Sequence, residues 1–307
     1  GRARRGLAAR GGSGAAMIIN GCQRWREGRE SYRPAREPFD PRAHEVVRMQ
    51  KARRGYTGPT VGEAKAFVER HHYSGSSSST CRVFGLYERA ELVGVAVFGQ
   101  PVTGSVLDIL PCPRDEALEL GRLVLLERVL ANAESWFVAR CFEQLRADGY
   151  SGVISFADPE PRTTVAGRVA FGGHAGTIYQ GLNAVYTGRG AADTQYLLPD
   201  GRAFTKRAAA KVRKRDVGWQ YAVEQLVAAG ATPPIEGEDL RAWLARERER
   251  VTRRRRHPGC FRYLFGLDKA AKRHLPAHLE RCGIAPLPYP KQIAAPPLIS
   301  PSSRRSP

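Results

Sequence analysis

The chain has 307 residues, 42% of them hydrophobic, and a formal net charge of +19. This length and apolar content suffice for a globular core. No stretch approaches the roughly 18 apolar residues of a membrane span, and the N-terminus lacks the apolar region of a signal peptide, so we expect a cytoplasmic protein. The six cysteines form no C-x-x-C pair, which argues against a zinc ribbon or a disulfide framework and for a reducing compartment.

The positive charge is concentrated towards the two ends. Lys and Arg outnumber Asp and Glu by 14 to 5 over residues 1–60 and by 23 to 9 over residues 201–307, whereas residues 61–200 have 12 basic and 16 acidic side chains. The pattern favours a near-neutral core with basic appendages that bind a polyanion, and nucleic acid is the polyanion we favour. The alternative is that the basic ends are solvated, partly disordered arms.

Both termini have the composition of disordered segments. Residues 1–16 are rich in Gly, Ala and Arg, and Met17 is the first methionine, so we expect Met17 to be the natural start and the preceding residues to extend the reading frame. Residues 1–45 predict a basic, disordered arm, and the weak periodicity of residues 22–58 predicts an extended segment. From residue 292 onward, Pro, Ser and Arg predict a disordered tail.

The first elements after the arm are a helix and a hairpin. Apolar residues at helical spacing predict a helix over residues 61–72, which a flexible Ser-rich loop follows at 74–80. Two apolar stretches around a polar turn at 88–91 predict a β-hairpin over residues 82–99.

A strand–helix–strand unit follows. Residues 119–127 predict a buried strand, residues 132–149 a helix with Asn132 as its N-cap, and residues 153–159 a second strand. Two strands joined by a helix form a parallel pair, so the sheet is mixed.

The C-terminal half changes character at residue 206. The predictions are a helix over 176–188, a strand and turn over 194–205, three short helices over 206–215, 219–230 and 238–250, and a strand over 260–268 that returns to the main sheet. We therefore divide the chain into a catalytic domain over 46–205, a basic helical DNA-contacting region over 206–257, and a strand and helix over 258–291 that rejoin the core.

The order hairpin, strand, helix, strand, helix, strand is that of the N-acetyltransferase (GNAT) fold. We therefore predict an α/β (α+β) class with a GNAT-like acyltransferase fold, a central mixed sheet flanked by helices. In this fold the phosphates of the cofactor bind at a helix N-terminus, here the helix that begins near Asn132. The GNAT phosphate loop corresponds to RVLANA at 128–133, where Arg128 and Ala133 fit the pattern but Ala131 replaces its glycine and crowds the backbone.

Several polar side chains converge at the mouth of such a sheet. Asp158 ends a central strand, and open α/β sheets bind ligands outside the carboxyl ends of their strands. The other candidates are His72, Tyr73, Arg122, Ser135, Tyr179 and, in a loop, His174. Each of these residues also has a purely structural explanation. Asp158 could be a turn residue before a proline, and the histidines could be surface or capping groups. Ser135 could satisfy a helix end, Tyr179 could belong to the core, and Arg122 could be an ion-pair partner.

The chain contains, in order, VERHHYSGS, LVGVAVFGQPV, GRLVLLE followed by NAESWF, SFADP, GHAGTIYQGLNAVYTG, and HPGCFRYLFGLD followed by PYPK. This series resembles the Mom family of phage DNA-modification proteins, from about Trp25 to Lys291. The family is GNAT-like and converts adenine in DNA to carbamoylmethyladenine at the exocyclic amine, which shields phage DNA from host restriction. The resemblance implies a DNA adenine-modifying transferase of phage or prophage origin, at work in the bacterial cytoplasm on double-stranded DNA.

The resemblance also implies roles for single residues. Arg122 and Ser135 fall where the family is thought to hold acetyl-CoA or a related acyl donor. His72, Tyr73, Asp158 and Tyr179 fall at positions tied to activity and to proposed iron binding. Imidazole, carboxylate and phenolate are a reasonable ligand set for iron, although such sets also occur at metal-free acid–base sites.

One segment departs from the family pattern. The family has only a couple of residues between its ADP and GH motifs, whereas thirteen residues, Glu160–Gly172, intervene here. The longer loop could cover the site, alter the target context or mark an inactive copy.

The implied reaction sets requirements of its own. The adenine amine is a poor nucleophile, and acetyl transfer would give an amide rather than a carbamoylmethyl group joined through CH₂, so a further activation is needed, which a metal site is one way to supply. The adenine must leave the duplex stack or be single-stranded. Basic side chains of the C-terminal half are candidates for the DNA phosphates: Lys206, Arg207, Lys211, Arg213, Lys214, Arg215, Arg253, Arg254, Arg255 and Arg256.

Two other functions stay open at this point. One is an ordinary GNAT N-acetyltransferase that acts on a protein or small-molecule amine, and the other is a non-catalytic DNA-binding protein on the same scaffold.

Overall fold

The computed structural model describes residues 39–126, 128–130 and 132–290. The predictions for residues 1–38 and 292–307 lie outside this part of the chain. The helices are α1 (Val61–His71), α2 (Ala133–Ala147), α3 (Thr177–Gly181), α4 (Lys206–Lys214), α5 (Gln220–Ala228), α6 (Leu240–Val251) and α7 (Lys269–Arg281). The strands are β1 (His44–Arg48), β2 (Arg82–Glu88), β3 (Glu91–Gly99), β4 (Ala117–Leu125), β5 (Gly152–Ala157), β6 (Arg162–Thr163), β7 (Val169–Phe171), β8 (Val185–Arg189), β9 (Asp193–Leu197), β10 (Ala203–Phe204), β11 (Arg253–His257) and β12 (Phe261–Gly266).

Seven strands form the central sheet, in the order β1-β2-β3-β4-β5-β12-β8. Its neighbours are antiparallel except β4 and β5, which are parallel and joined through α2. This confirms the predicted mixed sheet with one parallel pair and the GNAT-like layout. The hairpin β2–β3 turns on Arg89 and Ala90, whose φ angles of 48° and 69° meet the requirement of a tight type I′ turn.

The parallel pair opens at its carboxyl end. Strands β4 and β5 pair only from Ala117 with Gly152 to Leu120 with Ser155. Beyond that point β4 stays paired with β3 to Leu125, and β5 stays paired with β12. The two strands therefore part, and an opening lies between them where side chains and ligands can enter the sheet.

Helices cover both faces of this sheet. Helix α1 packs through Ala64 and Val68 in one apolar cluster with Val124 of β4, whereas α2 packs through Phe137 in another cluster with Leu120. Thr60 and Glu63 form a capping box that fixes the start of α1. Among the described helices, none combines the length and the apolar character that a membrane crossing requires.

Residues 190–260 are an insertion between β8 and β12. They contain α4, α5 and α6, as predicted, and a second sheet in the order β10-β9-β11. Their apolar side chains, among them the fully buried Trp243, form a separate core. The predicted basic helical region is wrong at its end, because residues 253–257 form strand β11 in register with β9.

Two further predictions are corrected. The helix predicted over 176–188 ends at Gly181, because Asn183 has a left-handed φ of 58° and the apolar residues after it pair as β8 with β12. The predicted disordered arm is ordered in its last part, since His44–Arg48 forms strand β1 against β2.

Candidate functional site

Asp158 follows strand β5 and lies in a closed network of partners. Its Oδ1 is 2.9 Å from Nε2 of His257 and accepts a hydrogen bond of 2.9 Å from the backbone N–H of Glu160. Its Oδ2 is 3.3 Å from Nη2 of Arg162. Burial disfavours the charge on Asp158, but the His257 hydrogen bond and the Arg162 guanidinium outweigh it and lower the pKa of the carboxyl.

His257 comes from strand β11 of the insertion and is almost fully buried. Its Nδ1 accepts a hydrogen bond of 3.1 Å from the backbone N–H of Gly259, so in the neutral ring the proton is on Nε2 and points at Asp158. Sequence reasoning missed this residue, since it lies 99 positions from Asp158 and only the pairing of β11 brings it there. The short HPG sequence after the arginine run was the one local signal.

An aromatic wall stands beside this network. The ring of Tyr73 stacks on Phe171 with centroids 4.1 Å apart, and the Arg162 guanidinium lies 4.5 Å from the Phe171 ring centroid. The ring centroids of His72 and His174 lie 4.2 Å and 6.2 Å from that of Tyr73. Phe171 and Arg162 belong to the hairpin β6–β7, which the inserted segment Glu160–Gly172 forms. This hairpin therefore supplies one wall of the site.

His72 and His174 are neutral near pH 7. Burial lowers the pKa of His72 well below its usual value, and it lowers that of His174 to about 4. Nearby arginine charges act in the same direction in both cases. His72 is the C-cap residue of α1, and its Nδ1 accepts a hydrogen bond of 3.1 Å from the backbone N–H of Ser74.

A second group of polar side chains lines the opening between β4 and β5. Tyr179 of α3 is buried there and hydrogen bonds to Ser155, and burial raises its pKa. Arg122 lies within β4 rather than at its start, and its Nε donates to the carbonyl of Ser76 at 2.8 Å. Burial lowers the pKa of Arg122, and the charge of Glu119 opposes this shift. The structure thus brings Arg122 together with both predicted tyrosines.

Arg128, Asn132 and Ser135, the residues of the predicted phosphate site, lie at or shortly before the first turn of α2. Arg128 forms ion pairs with Glu88 and Glu91 of the β2–β3 hairpin, so its charge is already balanced. Asn132 occupies the N-cap position with a left-handed φ of 76° and makes no side-chain cap hydrogen bond, which corrects its predicted capping role. Ser135 donates to the Asn132 carbonyl at 3.1 Å. The structure describes no contact between Ser135 and Arg122.

The four predicted iron ligands do not form a metal site in this arrangement. Both oxygens of Asp158 have partners, one of them the positively charged Arg162, which opposes a cation at the same place. Burial raises the pKa values of Tyr73 and Tyr179, which disfavours the phenolate form that iron binds.

A different trio of potential metal ligands lies nearby. Ligand atoms of Asp158, His257 and Cys260 lie within 4.8 Å of one another. His257 presents an N–H to this cluster rather than a lone pair, and burial raises the pKa of the Cys260 thiol to about 12. Of this trio only Asp158 is thus in the form that binds a metal.

The predicted DNA-binding side chains divide into two kinds. Arg255 is bound to the site segment, with hydrogen bonds to Glu160 and the Pro161 carbonyl, and Lys206 pairs with Asp193 at 2.8 Å. The side chains of Lys211 and Arg215 bind backbone carbonyls. The remaining ones form no ion pair within the described residues: Arg207, Arg213, Lys214, Arg253, Arg254 and Arg256.

A cavity of about 670 Å³, the basic groove, separates the core from the insertion. Ser78, Glu119 and Arg122 line its core side, and Arg207, Arg213 and Arg248 line its insertion side. Arg122 also acts electrostatically on Tyr73 and His72, so it belongs both to the lining of the groove and to the surroundings of these two residues. The structure thus joins the predicted catalytic and basic residues in one region.

A splayed parallel pair, a buried polar site at its opening and a basic groove define a GNAT-like α/β protein with an added insertion. A sequence model of the Mom protein family matches residues 60–291, which include every site residue described above. The chain belongs to the Mom family of phage DNA-modification proteins.

Solved structures give only distant likenesses. An N-acetyltransferase from Staphylococcus aureus Mu50 is 11% identical over 61% of this chain and 68% of its own, with a TM-score of 0.26. A Bacillus subtilis acetyltransferase in complex with CoA is 8% identical over 73% of this chain and 98% of its own, with a TM-score of 0.31. A comparison with curated proteins gave no match. Since these TM-scores are low, the fold is defined by the strand order of the chain itself.

Proposed function

We propose that this chain is a DNA-modifying transferase that converts adenine in DNA to carbamoylmethyladenine at its exocyclic amine and thereby protects phage DNA from host restriction. The observation that carries the proposal is the Mom family match over residues 60–291. The geometry supports it, because Arg122 lines the basic groove and also acts electrostatically on Tyr73 and Tyr179.

The residues of the site can assist group transfer to a weak nucleophile. Arg162 and Arg122 place two positive charges near Tyr73, where they can stabilise negative charge that develops on the transferred group. The neutral ring of His174 can accept the proton that the amine loses, whereas the acceptor nitrogen of His72 already binds the backbone N–H of Ser74. Asp158 holds Arg162 and His257 in place, so we assign it a positioning role.

The family resemblance leads us to propose an acetyl-CoA-type donor. When bound, such a donor supplies an activated acyl carbon. The first-turn N–H groups of α2 and the Ser135 hydroxyl are the groups that would hold its phosphates. The carbamoyl group of the product is joined through CH₂, so acetyl transfer by itself does not complete the reaction.

The proposed partner is double-stranded DNA. Exposed Arg213, Lys214, Arg253, Arg254 and Arg256 offer positive charges that are not balanced by acidic side chains of the described chain. Such contacts give affinity that is independent of sequence and falls steeply with salt.

Nucleoside analysis tests the proposal. The protein is expressed in a bacterial host, the host DNA is digested, and the nucleosides are separated and weighed by mass spectrometry. We expect a deoxyadenosine that carries a carbamoylmethyl group. An ordinary N-acetyltransferase would leave DNA unmodified and bind CoA without any dependence on DNA, whereas a non-catalytic protein would bind DNA and leave it unmodified.

A further inference from the structure

The basic groove has the size of a site for a single nucleotide. Its volume of about 670 Å³ lies in the range of roughly 300–1,000 Å³ of small-molecule sites. A duplex does not fit into such a space, but one nucleotide extruded from a duplex does. Enzymes that act on a base usually take it out of the stack in this way.

The insertion side of the groove offers positive charge for a phosphate. Arg207 and Arg213 of α4 line the groove, and no acidic side chain of the described chain forms an ion pair with either. Arg248 of α6 lies 3.8 Å from the ring centroid of Tyr196, which also lines the groove. Cationic and aromatic groups together are typical of sites that hold unpaired nucleotides.

The core side offers an acceptor for an amine. Glu119 of β4 lines the groove, and in the described part of the chain its carboxylate has neither a hydrogen-bond donor nor an ion-pair partner within reach. Arg122 and Arg207 act on it electrostatically, and burial raises its pKa. A carboxylate accepts hydrogen bonds and, when ionised, donates none, so it favours a base edge that carries an amino group.

We propose that the basic groove holds one extruded nucleotide of the DNA substrate, with its phosphate on Arg207 and Arg213 and its exocyclic amine on Glu119. This inference rests on the proposed function and names how the site receives its substrate. The sequence alone did not indicate a role for Glu119. It also did not show which of the basic side chains line the groove.

The assignment of Glu119 can be tested by removing the amine from the ligand. Two duplexes are compared, one with an unpaired adenine and one with an unpaired purine base that lacks only the 6-amino group. We expect the wild-type protein to bind the adenine duplex about 10-fold more tightly, the effect of one well-placed hydrogen-bond pair. The Glu119→Met variant is expected to bind both duplexes equally.

The matched control is Glu143→Met, which removes an exposed carboxylate of α2 outside the groove. This variant should keep the wild-type preference for adenine. A wild-type protein that binds both duplexes equally, or a Glu119→Met variant that still prefers adenine, would overturn the assignment.

The phosphate side can be tested on neighbouring residues of α4. Arg213 lines the groove and Lys214, next to it and equally exposed, does not. We expect Arg213→Ala to weaken binding of the adenine duplex about 10-fold at low salt and to reduce the slope of log affinity against log salt by about 1. Lys214→Ala should have a clearly smaller effect on both quantities.

Equal losses for the two variants would show that DNA does not enter the groove. Both experiments measure binding without turnover, so they can fail while modified adenosine is still found in host DNA. Conversely, unmodified host DNA together with adenine-selective binding would overturn the proposed reaction and leave the nucleotide site in place.

Discussion

The carboxylate of Asp158 accepts a hydrogen bond from Nε2 of His257 at 2.9 Å, across 99 residues of chain. One partner follows the central strand β5, and the other ends strand β11 of the insertion. Arg255, on the same strand β11, forms a second contact with the segment after β5 by donating a hydrogen bond to Glu160. The insertion therefore fixes the segment that follows β5 and takes part in building the site.

Removing the Asp158 carboxylate should destabilise the protein as well as inactivate it. In Asp158→Ala, Arg162 is left as a buried charge without its partner, and breaking a buried pair in this way costs about 3–5 kcal/mol. Chemical denaturation monitored by circular dichroism measures the loss in free energy of unfolding.

The double variant Asp158→Ala with Arg162→Met serves as the control. It removes both charges, so we expect it to be more stable than Asp158→Ala alone. If the two effects are simply additive, the Asp158–Arg162 contact is not the source of the loss.

The contribution of Asp158 should depend on pH in a defined direction. Its pKa in the folded protein lies below the unfolded value of 3.8, so its stabilisation is fully present above that value and is lost as the pH falls through the folded pKa. The difference in free energy of unfolding between wild type and Asp158→Asn should be constant from pH 7 to about pH 5 and should shrink below pH 3.8. A difference that grows on acidification would contradict the network.

The contribution of Glu119 to the free energy of unfolding should change with pH in the opposite direction. Burial raises its pKa above 4.5, so ionisation of this group destabilises the folded state as the pH rises above that value. Glu119→Gln is therefore expected to raise the free energy of unfolding at pH 7 and to leave it nearly unchanged at pH 4. A variant that is less stable than wild type at pH 7 would indicate a structural role for this carboxylate.

The inserted hairpin should be required for activity. Phe171 is 2% exposed and stacks on Tyr73, so Phe171→Ala removes the support of that ring and costs about 3–5 kcal/mol. Phe171→Leu keeps most of the volume and should lose less stability, but it still loses the stack and should form less modified adenosine than wild type at equal expression. Full activity in Phe171→Leu would show that the hairpin is not part of the working site.

Much of the fold could be predicted from local patterns. The helix at 61–72, the hairpin at 82–99 and the helix at 132–149 follow from periodicity and end signals, and the structure confirms them. The helix predicted over 176–188 is wrong because short apolar stretches fit a helix and a strand equally well. Residues 185–189 form strand β8 because they pair with β12.

The site was predictable only in part, for a physical reason. The residues from the motifs, such as Asp158 and Tyr179, lie on the predicted framework of the sheet. His257 and Arg162 lie on the insertion and the hairpin, whose placement is set by long-range contacts rather than by local pattern. Arg255 shows the same limit, since within a run of four arginines it alone binds Glu160.

The amount of carbamoylmethyl-deoxyadenosine in host DNA is the most direct measure of the proposed reaction. Cells that express the wild-type protein are compared with cells that express the same amount of folded Phe171→Leu protein and with cells that carry an empty vector. We predict that the modified nucleoside is abundant with wild type, reduced with Phe171→Leu and undetectable with the empty vector. Host DNA without the modified nucleoside, from cells that contain folded wild-type protein, would contradict the account.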